Sequence, residues 1–173
     1  MWRLATIAGS IGAVVLTRQR AMANMDRVRY LNPAPKLTPR WVAGANESGQ
    51  PVPMLVMSIG RSGFAHLSDR GQYLAPKAAM SFNRMARAAL ADGVDLEDQL
   101  VSSFRTWPHQ ENLHSIMSHA TAPGRSAHQR GTAVDINTLS PDGPDTQAWL
   151  VTNAARYGWR RTYGNPAHWE HFG

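Results

Sequence analysis

His128 and Asp135 stand seven positions apart in the segment Ser126-Ala127-His128-Gln129-Arg130-Gly131-Thr132-Ala133-Val134-Asp135, separated mostly by small residues. An imidazole nitrogen and a carboxylate oxygen both bind zinc, and a catalytic zinc typically takes three protein ligands and leaves a fourth position open. The chain has no cysteine. Disulfides and thiolate sites are therefore excluded, and a transition-metal site must use His and carboxylate. The third ligand has to come from elsewhere. The strong candidate cluster is His168-Trp169-Glu170-His171, far along the chain. A metal site is thus expected only if the fold brings these two segments together.

The elements that must do this can be read from periodicity and turn signals. Residues 53–59 have the length and apolar character of a buried strand, stopped by Gly60. Leu74 to Asp92 reads as a helix, with Phe82, Met85, Ala86, Ala89 and Leu90 at helical spacing and Gly93 as its cap. Met80 and Met85 read as core filling. Residues 100–104 read as a strand leading into Arg105, and Trp107 to Ser118 as a helix that tolerates Pro108 in its first turn. Residues 121–124 and 141–144 are turns. Asp145 to Tyr157 reads as a helix ended by Gly158, and Trp159 to Tyr163 and Ala167 to Phe172 as the last strands. This mixture lacks βαβ regularity, so the expected class is α+β: a small antiparallel sheet with flanking helices.

Charge divides the chain. The net charge of +6 lies entirely in residues 1–40, where seven basic side chains face Asp26 alone (7 − 1 = +6), whereas residues 41–173 hold 11 basic and 11 acidic groups. Nothing resembles a nucleic-acid-reading module, so no nucleic-acid partner is expected. Residues 4–16 form an apolar run after Arg3, shorter than the roughly 20 residues of a spanning helix. The run has the length of a signal-peptide core, with Ala21-Met22-Ala23 where a cleavage site would lie. Residues 1–30 are accordingly read as an export signal, a membrane anchor or a docking arm. Residues 31–51, rich in Pro and Gly, are read as a linker. Residues 52–173 are read as the folded domain.

With these pieces placed, the chain resembles the VanY-type D-alanyl-D-alanine carboxypeptidases, a zinc peptidase group that also contains phage L-alanyl-D-glutamate endolysins. Three motifs carry the likeness over roughly residues 52–173. The pattern Ser-x-His-x-x-Gly-x-Ala-x-Asp is met by Ser126, His128, Gly131, Ala133 and Asp135. A Ser, an aromatic-Arg pair and a Gln are met by Ser102, Phe104-Arg105 and Gln110. Tyr157-Gly158-Trp159 followed by Pro166-Ala167-His168-Trp169 is similar to the closing ligand strand.

The resemblance implies a Hedgehog/D,D-peptidase-like zinc peptidase fold, a Zn2+ cofactor held by His128, Asp135 and His168, and a peptidoglycan stem peptide as substrate. Arg105 would face a substrate carbonyl or carboxylate, and Ser126 and Gln110 would hold the peptide. The activity implied is D-Ala-D-Ala carboxypeptidase or murein endopeptidase, in the cell envelope or exported, or else on a phage virion. One departure stands out. The family has an acid three positions before its last ligand, where this chain has Asn165. An amide cannot serve as the base. Side chains alternate along a strand, so Glu170 shares a face with His168 while His171 points away. Alternation thus favours His168 over His171 as ligand and makes Glu170 the candidate proton carrier. If Glu170 does not supply that acid, either zinc-bound hydroxide acts with only weak assistance, or the chain is a catalytically impaired peptidoglycan-binding or structural module of the same fold, for example in a phage tail.

Overall fold

The computed structural model describes residues 38–61, 71–140, 142–162 and 164–173, with Arg61 described in its backbone only. In chain order the elements are β1 (Pro39–Ala45), β2 (Pro51–Arg61), β3 (Gly71–Leu74), α1 (Pro76–Ala91), β4 (Leu100–Ser102), α2 (Trp107–Ile116), β5 (Ala133–Ile136), α3 (Gly143–Asn153), a 3-10 turn (Ala154–Tyr157), β6 (Trp159–Arg161) and β7 (His168–His171). They form two small antiparallel sheets, ordered β1-β2-β3 and β4-β5-β7-β6. The α+β expectation holds, with two sheets where one was expected.

Helix α1 is the hinge of the core. Ala78, Ala79, Phe82, Met85, Ala86 and Ala89 recur at 3- and 4-residue spacing and are all buried. They pack against Ile59 and Leu74 of the first sheet and against Leu100, Val134, Ile136, Trp159 and Trp169 of the second. One amphipathic helix thereby fixes both sheets. Met85 fills the core as expected, whereas Met80 is 48 % exposed. The helix begins at Pro76, because Gly71–Leu74 is drawn into a ladder with β2. Its end is closed by backbone bonds from Gly93 to Leu90 and from Val94 to Ala89, with Gly93 at φ +85°, the left-handed conformation glycine adopts most readily.

The linker reading of residues 31–51 fails over its second half. Residues 39–45 are strand β1, paired with β2 from Pro39↔Met57 to Ala45↔Pro51. Of the Pro and Gly residues that suggested a linker, Gly49 belongs to a hairpin turn between β1 and β2: Gly49 donates to the Asn46 carbonyl, and Gln50 donates to Asn46 Oδ1. Pro51 and Pro53 are tolerated because β3 pairs with β2 only from Met57 onward, so among the described residues no strand pairs with the other edge of β2 where the prolines sit. Residues 1–30 and 31–37 lie outside the described residues. Among the described residues no helix is long and apolar enough to cross a membrane.

The remaining boundaries shift modestly. Helix α3 starts at Gly143 rather than Asp145 and tightens into the 3-10 turn before Gly158 at φ +77°. Strands β3 and β5 were not expected at all.

Part-buried Glu97, outside the donor cluster of the second sheet, has a raised pKa. Burial and the neighbouring Asp95 charge raise it to about 7, against the opposing charge of Arg87. The folded state therefore holds this proton more tightly than the unfolded chain. Its contribution to stability is fully present below the unfolded value of 4.5 and is lost as pH rises through about 7. Glu97→Gln removes that loss. The variant's melting temperature should exceed the native protein's at pH 8, and the gap should close near pH 4.5. Thermal melts at both pH values check this.

Candidate metal centre

Strand register builds the centre. β5 lies between β4 and β7, with Ser102 opposite Asp135 on one side and His168 opposite Asp135 on the other. One row across the sheet therefore reads Ser102, Asp135, His168. Val134 and Ile136 are fully buried in the core, so Asp135 between them faces the opposite way, toward the row.

His128 reaches the same point from a turn. The Arg130 and Thr132 amides donate to the Ala127 carbonyl, and the Gly131 and Arg105 amides donate to the His128 carbonyl. Gly131 sits at φ +68°, and a Cβ there would lie 2.6 Å from the Ala75 nitrogen. Only glycine fits both the conformation and the space. Here the small residues between His128 and Asp135 have a physical purpose.

The donor atoms of His128, Asp135 and His168 lie within 4.8 Å of one another. His128 Nε2 is 3.3 Å from Asp135 Oδ2 and 3.2 Å from His168 Nδ1, and His168 Nδ1 is 2.9 Å from Asp135 Oδ1. Each of the three has a further partner on its outer side. His128 Nδ1 donates to the Ser103 carbonyl at 2.6 Å. Asp135 Oδ2 accepts from Arg105 Nη2 at 2.9 Å. His168 Nε2 lies 3.1 Å from Glu170 Oε1. A carbonyl can only accept, so His128 carries its proton on Nδ1 and turns the Nε2 lone pair inward. Two nitrogens and one carboxylate around a common point, each oriented from behind, are a donor set that fits zinc.

The electrostatics follow from this geometry. Burial lowers the His128 pKa, opposed by its bond and attraction to Asp135, so it stays neutral and able to donate a lone pair. Burial also acts against charge on His168, but Asp135 and Glu170 prevail and its pKa is raised. Burial would raise the Asp135 pKa; its contacts with His128 and His168 and the nearby positive charge of Arg105 outweigh burial and hold the carboxyl well below the usual carboxylate range. Burial pulls Arg105 below its ordinary value against the attraction of Asp135, and a guanidinium remains charged under such a shift.

The sequence-predicted residues divide into two groups. His128, Asp135, His168, Arg105 and Glu170 come together. His171 does not: it points away and packs on Trp159 with ring centroids 5.3 Å apart. Gln110 was expected to hold the peptide, but it is fully buried and donates to the Thr121 carbonyl at 2.7 Å. It braces the loop leading to Ser126 and presents no surface to a ligand. Ser126 itself is 5 % exposed. Asn165 is exposed, and its Oδ1 accepts from the Ala167 amide at 3.0 Å, which makes it a turn residue ahead of β7. Ser103 was missed. Its carbonyl orients His128, and its hydroxyl donates to Gln72 Oε1 and accepts from the Tyr73 amide. Because a backbone carbonyl does this work, residue type gave no signal for it.

Solved structures similar to this chain include VanY, DacB and LdcB. VanY D,D-pentapeptidase from a VanB-type vancomycin resistance cassette, crystallised as a point mutant with Zn(II), is 22 % identical with a TM-score of 0.48, over 60 % of this chain and 75 % of that one. DacB from Streptococcus pneumoniae is 23 % identical with a TM-score of 0.48, over 58 % and 67 %. The LD-carboxypeptidase LdcB, whose structure concerns peptidoglycan recognition, is 20 % identical with a TM-score of 0.48, over 71 % and 75 %. A comparison with curated proteins finds no match. The family profile VanY, D-alanyl-D-alanine carboxypeptidase, matches residues 71–171. That span runs from β3 to the end of β7 and takes in every residue of the centre, so the chain belongs to the VanY family.

Proposed function

We propose that the chain is a zinc-dependent peptidase that cleaves a D-amino-acid-containing bond in the peptidoglycan stem peptide, acting in the cell envelope. The observation that carries this reading is the convergence of His128 Nε2, Asp135 and His168 Nδ1 in a chain whose family is a peptidase family. These three side chains would hold the ion. Zinc bound there supplies Lewis acidity, polarising a carbonyl and making water a stronger acid.

The chain's own residues supply orientation and charge. Arg105, steadied by Ser102 Oγ at 3.3 Å and by Asp135, offers a forked cation to the substrate oxygen that gains negative charge. The Ser103 carbonyl keeps His128 in the tautomer that leaves Nε2 free.

The test is digestion of purified murein with and without a chelator, followed by mass analysis of released fragments. The reading expects release that stops with chelator and returns with zinc. Absent or chelator-insensitive cleavage overturns it. A second reading is that of a binding module, because Asn165 stands where the family places an acid. That reading expects the same protein to bind zinc and murein and release nothing.

A further inference from the structure

We propose that Glu170 is a positioning residue, whose carboxylate fixes the ring of His168 so that Nδ1 faces the metal, and that it does not carry the proton of the reaction. The inference rests on the zinc reading above for the identity of the ion. It goes beyond that reading in assigning a role to a carboxylate that sequence alone offers as the base.

Geometry separates the two roles. His168 and Glu170 are two residues apart on β7, so alternation puts them on one face. Their contact is made at the outer ring nitrogen: His168 Nε2 is 3.1 Å from Glu170 Oε1, while Nδ1 of the same ring faces Asp135 at 2.9 Å and His128 Nε2 at 3.2 Å. Glu170 would accept a proton held on Nε2 and Asp135 one held on Nδ1, so a neutral ring that gives Nδ1 to an ion would keep its proton on Nε2, bonded to Glu170. That leaves Nδ1 as the only lone pair, aimed at the point shared with His128 Nε2 and Asp135. The engaged oxygen of Glu170 meets the ring nitrogen that does not face that point. A base has to reach the proton it removes, and this oxygen is committed to the ring.

The two histidines show the same device with opposite nitrogens. His128 is held through Nδ1 by the Ser103 carbonyl and turns Nε2 inward. His168 is held through Nε2 by Glu170 and turns Nδ1 inward. Without an outer partner, the His168 ring could rotate by half a turn about Cβ–Cγ and present carbon where nitrogen is required. Loss of such an outer partner typically weakens metal affinity about 10–100-fold.

The experiment compares Glu170→Ala and Glu170→Gln in the full chain. Zinc affinity is read by competition with a chromogenic chelator, so it does not depend on activity, and melting curves establish that each variant is folded. Gln keeps an oxygen that accepts from Nε2, whereas Ala has none. The expected result is zinc binding about 10–100-fold weaker in Glu170→Ala and near native in Glu170→Gln, with the turnover lost by the Ala variant returning as zinc is raised. The proposal is overturned if both variants bind zinc like the native protein. It is equally overturned if both lose about 10²–10⁴ in turnover at saturating zinc, the signature of a missing base. A native protein that binds zinc but cleaves nothing would sink the peptidase reading alone, since the affinity comparison would still decide the role of Glu170.

Discussion

Asp135→Asn should leave the protein folded and strip it of zinc. Asp135 is the hub of the centre: Oδ1 meets His168, and Oδ2 meets both Arg105 and His128. The substitution preserves shape but removes the negative charge. A neutral amide oxygen is a far weaker zinc donor than a carboxylate. Losing a ligand should cost more than losing an outer partner, so zinc affinity should fall by more than about 100-fold. Murein release should disappear with it. The folding cost is moderate, because Asp135 and Arg105 are part-buried, with 16 % and 18 % of their side chains exposed. Solvent screening at that exposure keeps the loss to about 1–2 kcal/mol, below the range for a fully buried pair. Metal analysis after dialysis and a thermal melt check both parts. Full zinc occupancy in a folded Asp135→Asn protein would contradict the assignment of this ligand.

Arg105→Ala should act on turnover instead. Removing one donor to a developing oxyanion costs about 10²–10³ in kcat, and the substrate is already bound when that charge appears, so kcat should fall more than KM rises. Arg105→Lys keeps the charge but loses the fork that meets Ser102 Oγ and Asp135 together, and should recover only part of the rate. Steady-state kinetics at saturating zinc separate this from a role in orienting Asp135. If Arg105 served only that ligand, turnover in Arg105→Ala would return when zinc is raised.

How far the site could be read from sequence depended on how local each relation is. His128 and Asp135 were legible because the glycine and the small residues between them are demanded by one tight turn. His168 was legible over His171 through the alternation of a four-residue strand. Glu170 was found as a neighbour, but the ring nitrogen it meets depends on the setting of the His168 ring, which spacing does not reveal. Gln110 was assigned to the substrate because motif spacing does not reveal burial. The fold shows the same division. Helix α1 announced itself through a long apolar stripe. Strands β3 and β5 are four residues each, too short for a period to emerge, and they exist because neighbouring strands complete their ladders. The proline-rich segment carried genuine turn signals, but they belonged to a hairpin whose strand β1 is held by pairing with β2.

The central claim, that two distant segments close on one zinc ion, is tested most directly by anomalous diffraction at the zinc edge from zinc-loaded crystals. One peak is expected per chain, about 2 Å from His128 Nε2, an Asp135 carboxylate oxygen and His168 Nδ1. A peak at other side chains, or none in crystals grown with zinc, would contradict the account.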